Sequence, residues 1–245
     1  MNTNSNGYII AYSCAMVIIV AFLLAFISSS LKPQQDENVK LDKKKQILAA
    51  LNIRGLSDEE SAEKYKEVVI CDDEIQINGN EAHVTAKVSD SSIGGKKAAE
   101  DLGFKLGSAD YKKNKVARFV CHINGETKYV LPVYGAGLWG PIWGYIAVNA
   151  DGNTIYGAYF NHEGETAGLG AEIKDSKAWQ DKFVGKTIYA ADGSVALKVL
   201  KSSEVKNPQS EVDAITGATL TSNGVSDMLQ EGFTKYKALL SPPAH

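Results

Sequence analysis

From Met1 to Leu31 the chain carries no Asp, Glu, Lys, Arg or His. Inside that stretch, residues 8–27 are apolar apart from Ser13 and the hydroxyls of Tyr8 and Tyr12. No other feature restricts the fold so strongly. In hydrocarbon every backbone N–H and C=O needs an internal partner, so such a segment is a helix. About 20 helical residues span the ~30 Å of a bilayer core. A cleaved leader would carry positive charge ahead of a shorter apolar core of about 7–15 residues. Here no Lys or Arg precedes the run and the run is longer, so it reads as a retained single-pass anchor, residues 1–31.

Roughly 210 residues follow the anchor, enough for one large domain or one domain with an extension. The hydrophobic share of 44% and charged share of 22% are those of an ordinary globular chain. Nucleic acid is not an expected partner: the lysines are dispersed and the only arginines are Arg54 and Arg118. The cysteines, Cys14, Cys71 and Cys121, form no C-x-x-C pair, and three are too few for four-cysteine metal ligation within the chain. Cys71 and Cys121 read as two buried thiols, with a disulfide left open.

Residues 32–38 read as a short polar linker. Leu41, Ile47, Leu48, Leu51 and Ile53 then suggest an amphipathic helix. Ser57 with Glu60 three residues on forms a helix-start pattern, and that helix runs to about Val69. Residues 74–89 read as a hairpin around Asn78-Gly79-Asn80. Beyond Lys115 the chain is rich in strands, with hairpin turns at Asn124-Gly125-Glu126 and Asp151-Gly152-Asn153. A helix is expected over 176–183, short strands over 187–190 and 195–200, and a last helix with the apolar stripe Val225, Met228, Leu229, Phe233, Tyr236 and Leu240. The expected class is α+β: antiparallel β-sheets with packed helices, preceded by one N-terminal transmembrane helix. The expected organisation is an anchor over 1–31, a linker and helical/hairpin region over 32–110, and a ligand-binding domain over 111–245. The G-x-G-x-x-G at residues 135–140 is followed by an expected strand over 145–150 and not by a helix, which argues against a Rossmann site.

Three segments carry the chemistry. Residues 213–222 read Asp213-Ala214-Ile215-Thr216-Gly217-Ala218-Thr219-Leu220-Thr221-Ser222. Small residues present a threonine on a narrow turn just ahead of a helix, whose first N–H groups and partial positive charge suit a phosphate. Taken alone, these hydroxyls read first as turn and N-cap residues. The second segment, Gly135-Ala136-Gly137-Leu138-Trp139-Gly140, is a glycine-rich loop that admits close backbone approach and offers a tryptophan face to a flat ring. Trp143, just beyond it, reads as core. The third is His162-Glu163-Gly164-Glu165-Thr166-Ala167-Gly168-Leu169-Gly170. Its histidine and glutamates read as loop residues, and no metal is assigned.

Together, in this order, the three segments resemble the FMN-binding domain family, and within it the C subunits of the Na+-translocating NADH:quinone reductases. The resemblance implies FMN joined through its phosphate to Thr219 by a flavin transferase, with Asp213, Gly217 and Ala218 in the sequence that enzyme reads. It implies a flavin pocket built by Leu138, Trp139, Glu165, Thr166, Gly168, Leu169 and Gly170, with Thr166 and backbone N–H groups at the pyrimidine edge and Leu169 over the ring. The family usually has proline where Ala167 stands, so the loop is looser here. Lys198 or, by position, Lys201 would reach the flavin. No catalytic residue is assigned.

The implied function is a membrane-anchored flavoprotein that relays electrons one at a time within a larger complex. Partner subunits would oxidise NADH, reduce ubiquinone and export Na+, since a single helix without ionisable residues holds no ion path. Location is the conflict. Lys32, Lys40, Lys43, Lys44 and Lys45 all follow the apolar run, which by the positive-inside rule puts the domain in the cytoplasm. The resemblance implies the periplasmic face of the cell inner membrane, and we follow it because large domains translocate largely regardless of charge. Two alternatives stand beside this reading: the homologous flavin subunit of the Rnf ferredoxin:NAD+ oxidoreductase, and a membrane-tethered binding module without redox activity.

Overall fold

The hairpin turns set the architecture. Asn124 and Gly125 both take positive φ (52° and 83°), the pairing a two-residue hairpin turn requires. They join β3 (Lys115–Ile123) to β4 (Glu126–Ala136). A computed structural model of the protein describes residues 5–79, 81–89 and 102–240. It shows six antiparallel strands in the order β2-β1-β3-β4-β5-β6, with β1 Val69–Asn78, β2 Glu81–Ser89, β5 Pro141–Asn149 and β6 Ile155–His162. The first hairpin pairs Asn78 with Glu81, as its sequence suggests; Asn80 itself lies outside the described residues.

The chain divides into two compact units, Met1–Asp42 and Lys43–His245. The first consists of most of α1 (Asn6–Ala50). Its apolar stretch is long enough to cross a membrane, and its large side chains are exposed on every side, from Ile9 to Leu31. The expected linker over 32–38 is not a break: the helix runs through it. Pro33 removes one backbone donor without ending the helix. Strong helix formers follow, with a Glu37–Lys40 pair at 3.1 Å one turn apart.

In the second unit the end of α1 closes tightly. Asn52 adopts φ 62°, Asn52 N–H donates to Ala49 O (3.1 Å) and Ile53 N–H to Leu48 O (2.9 Å). This is the left-handed stop that satisfies the last carbonyls. The expected capping box opens α2 (Asp58–Val68): Glu60 N–H donates to Ser57 Oγ and Ser57 N–H to the Glu60 carboxylate. Short helices α3 (Leu102–Lys105), α4 (Ser108–Lys112) and α5 (Glu172–Asp175) follow along the chain.

Edge strand β2 is largely exposed over residues 81–85, while the inner strands of the sheet are buried on both faces. On one, Ile47, Leu48 and Leu51 join Tyr65, Phe104, Phe119, Cys121, Val130 and Tyr145. On the other, α7 (Thr219–Leu240) lays down the expected stripe of Val225, Met228, Leu229, Phe233, Tyr236 and Leu240 against Leu131, Val133, Ile142 and Ile146. Alternation along β4 sends Val130 to one core and Leu131 to the other. Because β1 and β2 belong to this sheet, it runs unbroken across residue 110. Cys71 and Cys121 are buried and unbridged, and burial pushes the Cys121 thiol up.

The region between β6 and α7 differs from its sequence reading. Helix 176–183 is a short α6 (Lys177–Gln180) and a 3-10 turn (Asp181–Phe183), capped by Ser176. Residues 187–190 make isolated bridges, Thr154 to Thr187 and Tyr189 to Val195. Of the two strands expected over 187–200, only residues 198–200 form one, β7 (Lys198–Leu200), parallel to β8 (Glu211–Asp213).

Candidate functional site

Glycines bring the start of α7 to the end of β4. A Cβ on Gly135 would lie 2.7 Å from Met228 Cβ, and one on Gly232 would lie 2.6 Å from Val133 Cγ1. A Cβ on Gly224 would collide with the Ala136 carbonyl. The backbones therefore approach more closely than any side chain allows. This contact places the first turn of α7 beside the β4–β5 loop, which Gly137 N–H closes on Gly140 O at 2.8 Å. The loop after β6 completes the triangle, folded back by Leu169 N–H and Ala171 N–H on Thr166 O (3.1 and 3.0 Å).

Between these three segments lies an open cleft of about 180 Å³. Leu138 lines one side, and Glu165, Thr166, Leu169 and Gly170 another. Gly217, Ala218, Thr219, Leu220 and Thr221 line the third. Gly217 holds φ 80°, with its α-carbon face against Leu169 Cδ2. Gly168, expected in the pocket, takes positive φ with open space around it and does not line the cleft.

Ser222 N–H is the first in α7 to find a carbonyl four residues back, Ala218 O at 2.9 Å. The N–H groups of Thr219, Leu220 and Thr221 precede it and form the positive end of the helix dipole. Thr219 is half-buried, and its hydroxyl makes no hydrogen bond to the described residues. Thr221 differs: its hydroxyl donates to Glu165 Oε2 at 2.6 Å. Three large apolar residues of the lining stay exposed, Leu138 (47%), Leu169 (42%) and Leu220 (60%); the expected Trp139 is exposed (68%) beside Leu138 in the chain but does not itself line the cleft. An acceptor hydroxyl, unpaired N–H groups and an apolar surround make a binding seat for a molecule with one anionic end and one flat apolar end.

Other expected residues are placed differently. Glu165 is buried, and its carboxylate points inward to Trp139 N–H (2.9 Å) and Thr221. His162 Nδ1 accepts Glu165 N–H at 3.1 Å, which makes the histidine a loop brace. Asp213, at the end of β8, is ion-paired to Lys182 (2.7 and 2.9 Å) and does not line the cleft. Neither does Lys201, exposed in the turn after β7, where its carbonyl accepts Glu204 N–H. The parallel pairing of Leu200 with Asp213 ends both strands before the cleft begins. Trp143 belongs to β5, half-buried, its Nε1–H donating to Gln46 Oε1 at 2.9 Å. Leu220 and Thr221 line the cleft without having been expected there. Gly224 was the available signal: glycine inside a helix is unfavourable unless a close contact requires it.

The FMN-binding domain model matches residues 137–234, which contain the whole cleft. The C subunit of the Na+-translocating NADH-quinone reductase of Haemophilus ducreyi is 34% identical, the match covering 88% of this chain and 85% of that protein. Its counterpart in Pseudomonas aeruginosa is 33% identical, over 93% of this chain and 96% of its own length. The crystal structure of the Parabacteroides distasonis counterpart is 35% identical and superposes with a TM-score of 0.71, over 87% of this chain and 98% of that one. The chain therefore belongs to the family of C subunits of the Na+-translocating NADH-quinone reductases.

Proposed function

We propose that this chain carries FMN as a phosphoester on Thr219 Oγ1 and relays electrons within a membrane-bound, Na+-exporting NADH:quinone reductase. The cleft supports the reading because its two ends match the two ends of the cofactor. The first-turn N–H groups of α7 would meet the phosphate. Leu138, Trp139, Leu169 and Leu220 offer the apolar cover a flat ring needs, and Thr166 lies exposed at the rim. The bound flavin supplies one-electron chemistry; the protein supplies attachment, orientation and a partly dry surround. Other subunits would take NADH, quinone and Na+, and a flavin transferase would load the chain. Helix α1 would hold it in the cell inner membrane with the second unit on the periplasmic side.

The observation that carries this reading is the unengaged Thr219 hydroxyl at the head of α7, at the cleft that the Gly137–Gly140 and Glu165–Gly170 segments enclose. The test is in-gel fluorescence of denatured protein produced with a flavin transferase. Wild type should fluoresce. Thr219→Ala should not, since the acceptor oxygen is gone, while Thr219→Ser should retain some. Thr216→Ala is the control, because Thr216 is exposed and outside the cleft. Fluorescence persisting in Thr219→Ala would move the attachment elsewhere. Dark wild type would remove the covalent flavin.

A further inference from the structure

Glu165 supplies the carboxylate among the described residues that line the cleft. It is 8% exposed, and its carboxylate bridges two segments distant in sequence: Oε1 accepts Trp139 N–H at 2.9 Å and Oε2 accepts the Thr221 hydroxyl at 2.6 Å. Its own N–H is held by His162 Nδ1 at 3.1 Å. Two glycines make room for it. A Cβ on Gly137 would collide with Oε1, and a Cβ on Gly170 would collide with Oε2 and lie 2.6 Å from Thr221 Oγ1. Two glycines and two donors converging on one buried carboxylate mark a built contact.

We propose that Glu165 is a positioning residue for the flavin seat: through Thr221 it fixes the first turn of α7, and through Trp139 N–H it fixes the β4–β5 loop. It thereby sets the spacing between the Thr219 acceptor and the apolar wall of Leu138 and Trp139. The inference rests on the reading of Thr219 as the flavin-bearing residue. It assigns Glu165 a role by reach, not by charge. A glutamine in its place keeps both bonds: its carbonyl accepts Trp139 N–H, and its amide donates to Thr221 Oγ1, which accepts as readily as it donates. An aspartate keeps the charge but is one methylene too short to hold both partners.

The two substitutions therefore separate position from charge. The full-length chain would be produced with a flavin transferase as wild type, Glu165→Gln, Glu165→Asp and Thr221→Val. Covalent flavin per folded chain would be read by absorbance in denaturant, with folding checked by near-UV circular dichroism. The reduction potential of the attached flavin would be read by spectroelectrochemistry. Glu165→Gln should stay within about threefold of wild type in yield. Glu165→Asp and Thr221→Val should fall by about tenfold to a hundredfold, the scale of a misplacement near 1 Å. The flavin they do carry should have a shifted potential, which a purely structural role would not produce. The reverse order, with Asp retaining flavin and Gln losing it, would overturn the proposal in favour of charge. Equal yields and potentials in all four would overturn it outright. Wild type without covalent flavin would instead overturn the reading of Thr219, and the positioning role with it.

Discussion

Two surfaces of this chain expose large apolar side chains, and they differ in shape. Along α1, Ile9, Val17, Phe22, Leu24 and Phe26 are exposed all round the helix. At the cleft the exposed large apolar residues of the lining are Leu138, Leu169 and Leu220, beside unpaired N–H groups and the Thr219 hydroxyl, with Trp139 exposed next to Leu138 in the chain. Apolar surface without direction suits a solvent that is itself apolar and isotropic. Apolar surface gathered beside directional donors suits one ligand with two unlike ends. Total exposed area does not separate the two cases; the arrangement of polar groups does.

The coarsest way to break this comparison is to remove the first surface. A chain beginning at Lys43 should leave the membrane fraction and purify without detergent, because the second unit holds both cores. It should unfold cooperatively in a thermal melt followed by circular dichroism. Retention in membranes after this deletion would place lipid-binding surface in the second unit and undo the distinction. A periplasm-dependent reporter fused after Leu240 of the full chain should be active. Activity of a cytoplasm-only reporter would vindicate the lysine flank and reverse the topology.

A finer contrast uses one substitution at two glycines. A Cβ on Gly224 meets the Ala136 carbonyl, so Gly224→Ala should push α7 off β4, costing about 1–3 kcal/mol and widening the cleft. Chemical denaturation should show the loss, with covalent flavin falling alongside it. Gly7, in α1, has nothing within 4 Å of its Cβ position, so Gly7→Ala should leave stability unharmed. The cleft depends on the packing beneath it; the α1 surface depends on none. Equal effects of the two changes would show that α7 does not set the cleft.

What is legible in the sequence follows the range of the forces involved. Hairpin turns at Asn124-Gly125, the Ser57–Glu60 capping box and the α7 stripe are local, and each lies where the pattern puts it. The stretch 32–38 reads as a linker because Pro33 and a run of polar residues look like a break, while flanking helix formers carry the helix through. Residues 187–200 read as more strand than they form, because apolar alternation does not reveal whether a partner strand is available; only Lys198–Leu200 finds one, in Glu211–Asp213. The cleft itself is largely legible by motif, yet the role of Glu165 is not. Its partners Trp139 and Thr221 lie 26 and 56 residues away, beyond any local pattern. Lys201 and Asp213 illustrate the converse: nearness in sequence to Thr219 does not place them in the cleft.

The smallest effect tests the cleft's apolar surround directly. Leu169 is 42% exposed and touches the Gly217 turn, so Leu169→Ala removes little buried area and should change stability by under about 0.5 kcal/mol. Covalent attachment should survive, since Thr219 and its N–H groups are untouched. What changes is access of water to the flat end of the ligand: losing an apolar cover lets solvent stabilise charged forms of the flavin, which shifts its reduction potential. Leu24→Ala in α1 removes a comparable exposed leucine and should leave that potential where it was. A potential unmoved in Leu169→Ala would mean that this side chain does not cover the ring. A shift of equal size in Leu24→Ala would mean that the two surfaces are not functionally separate.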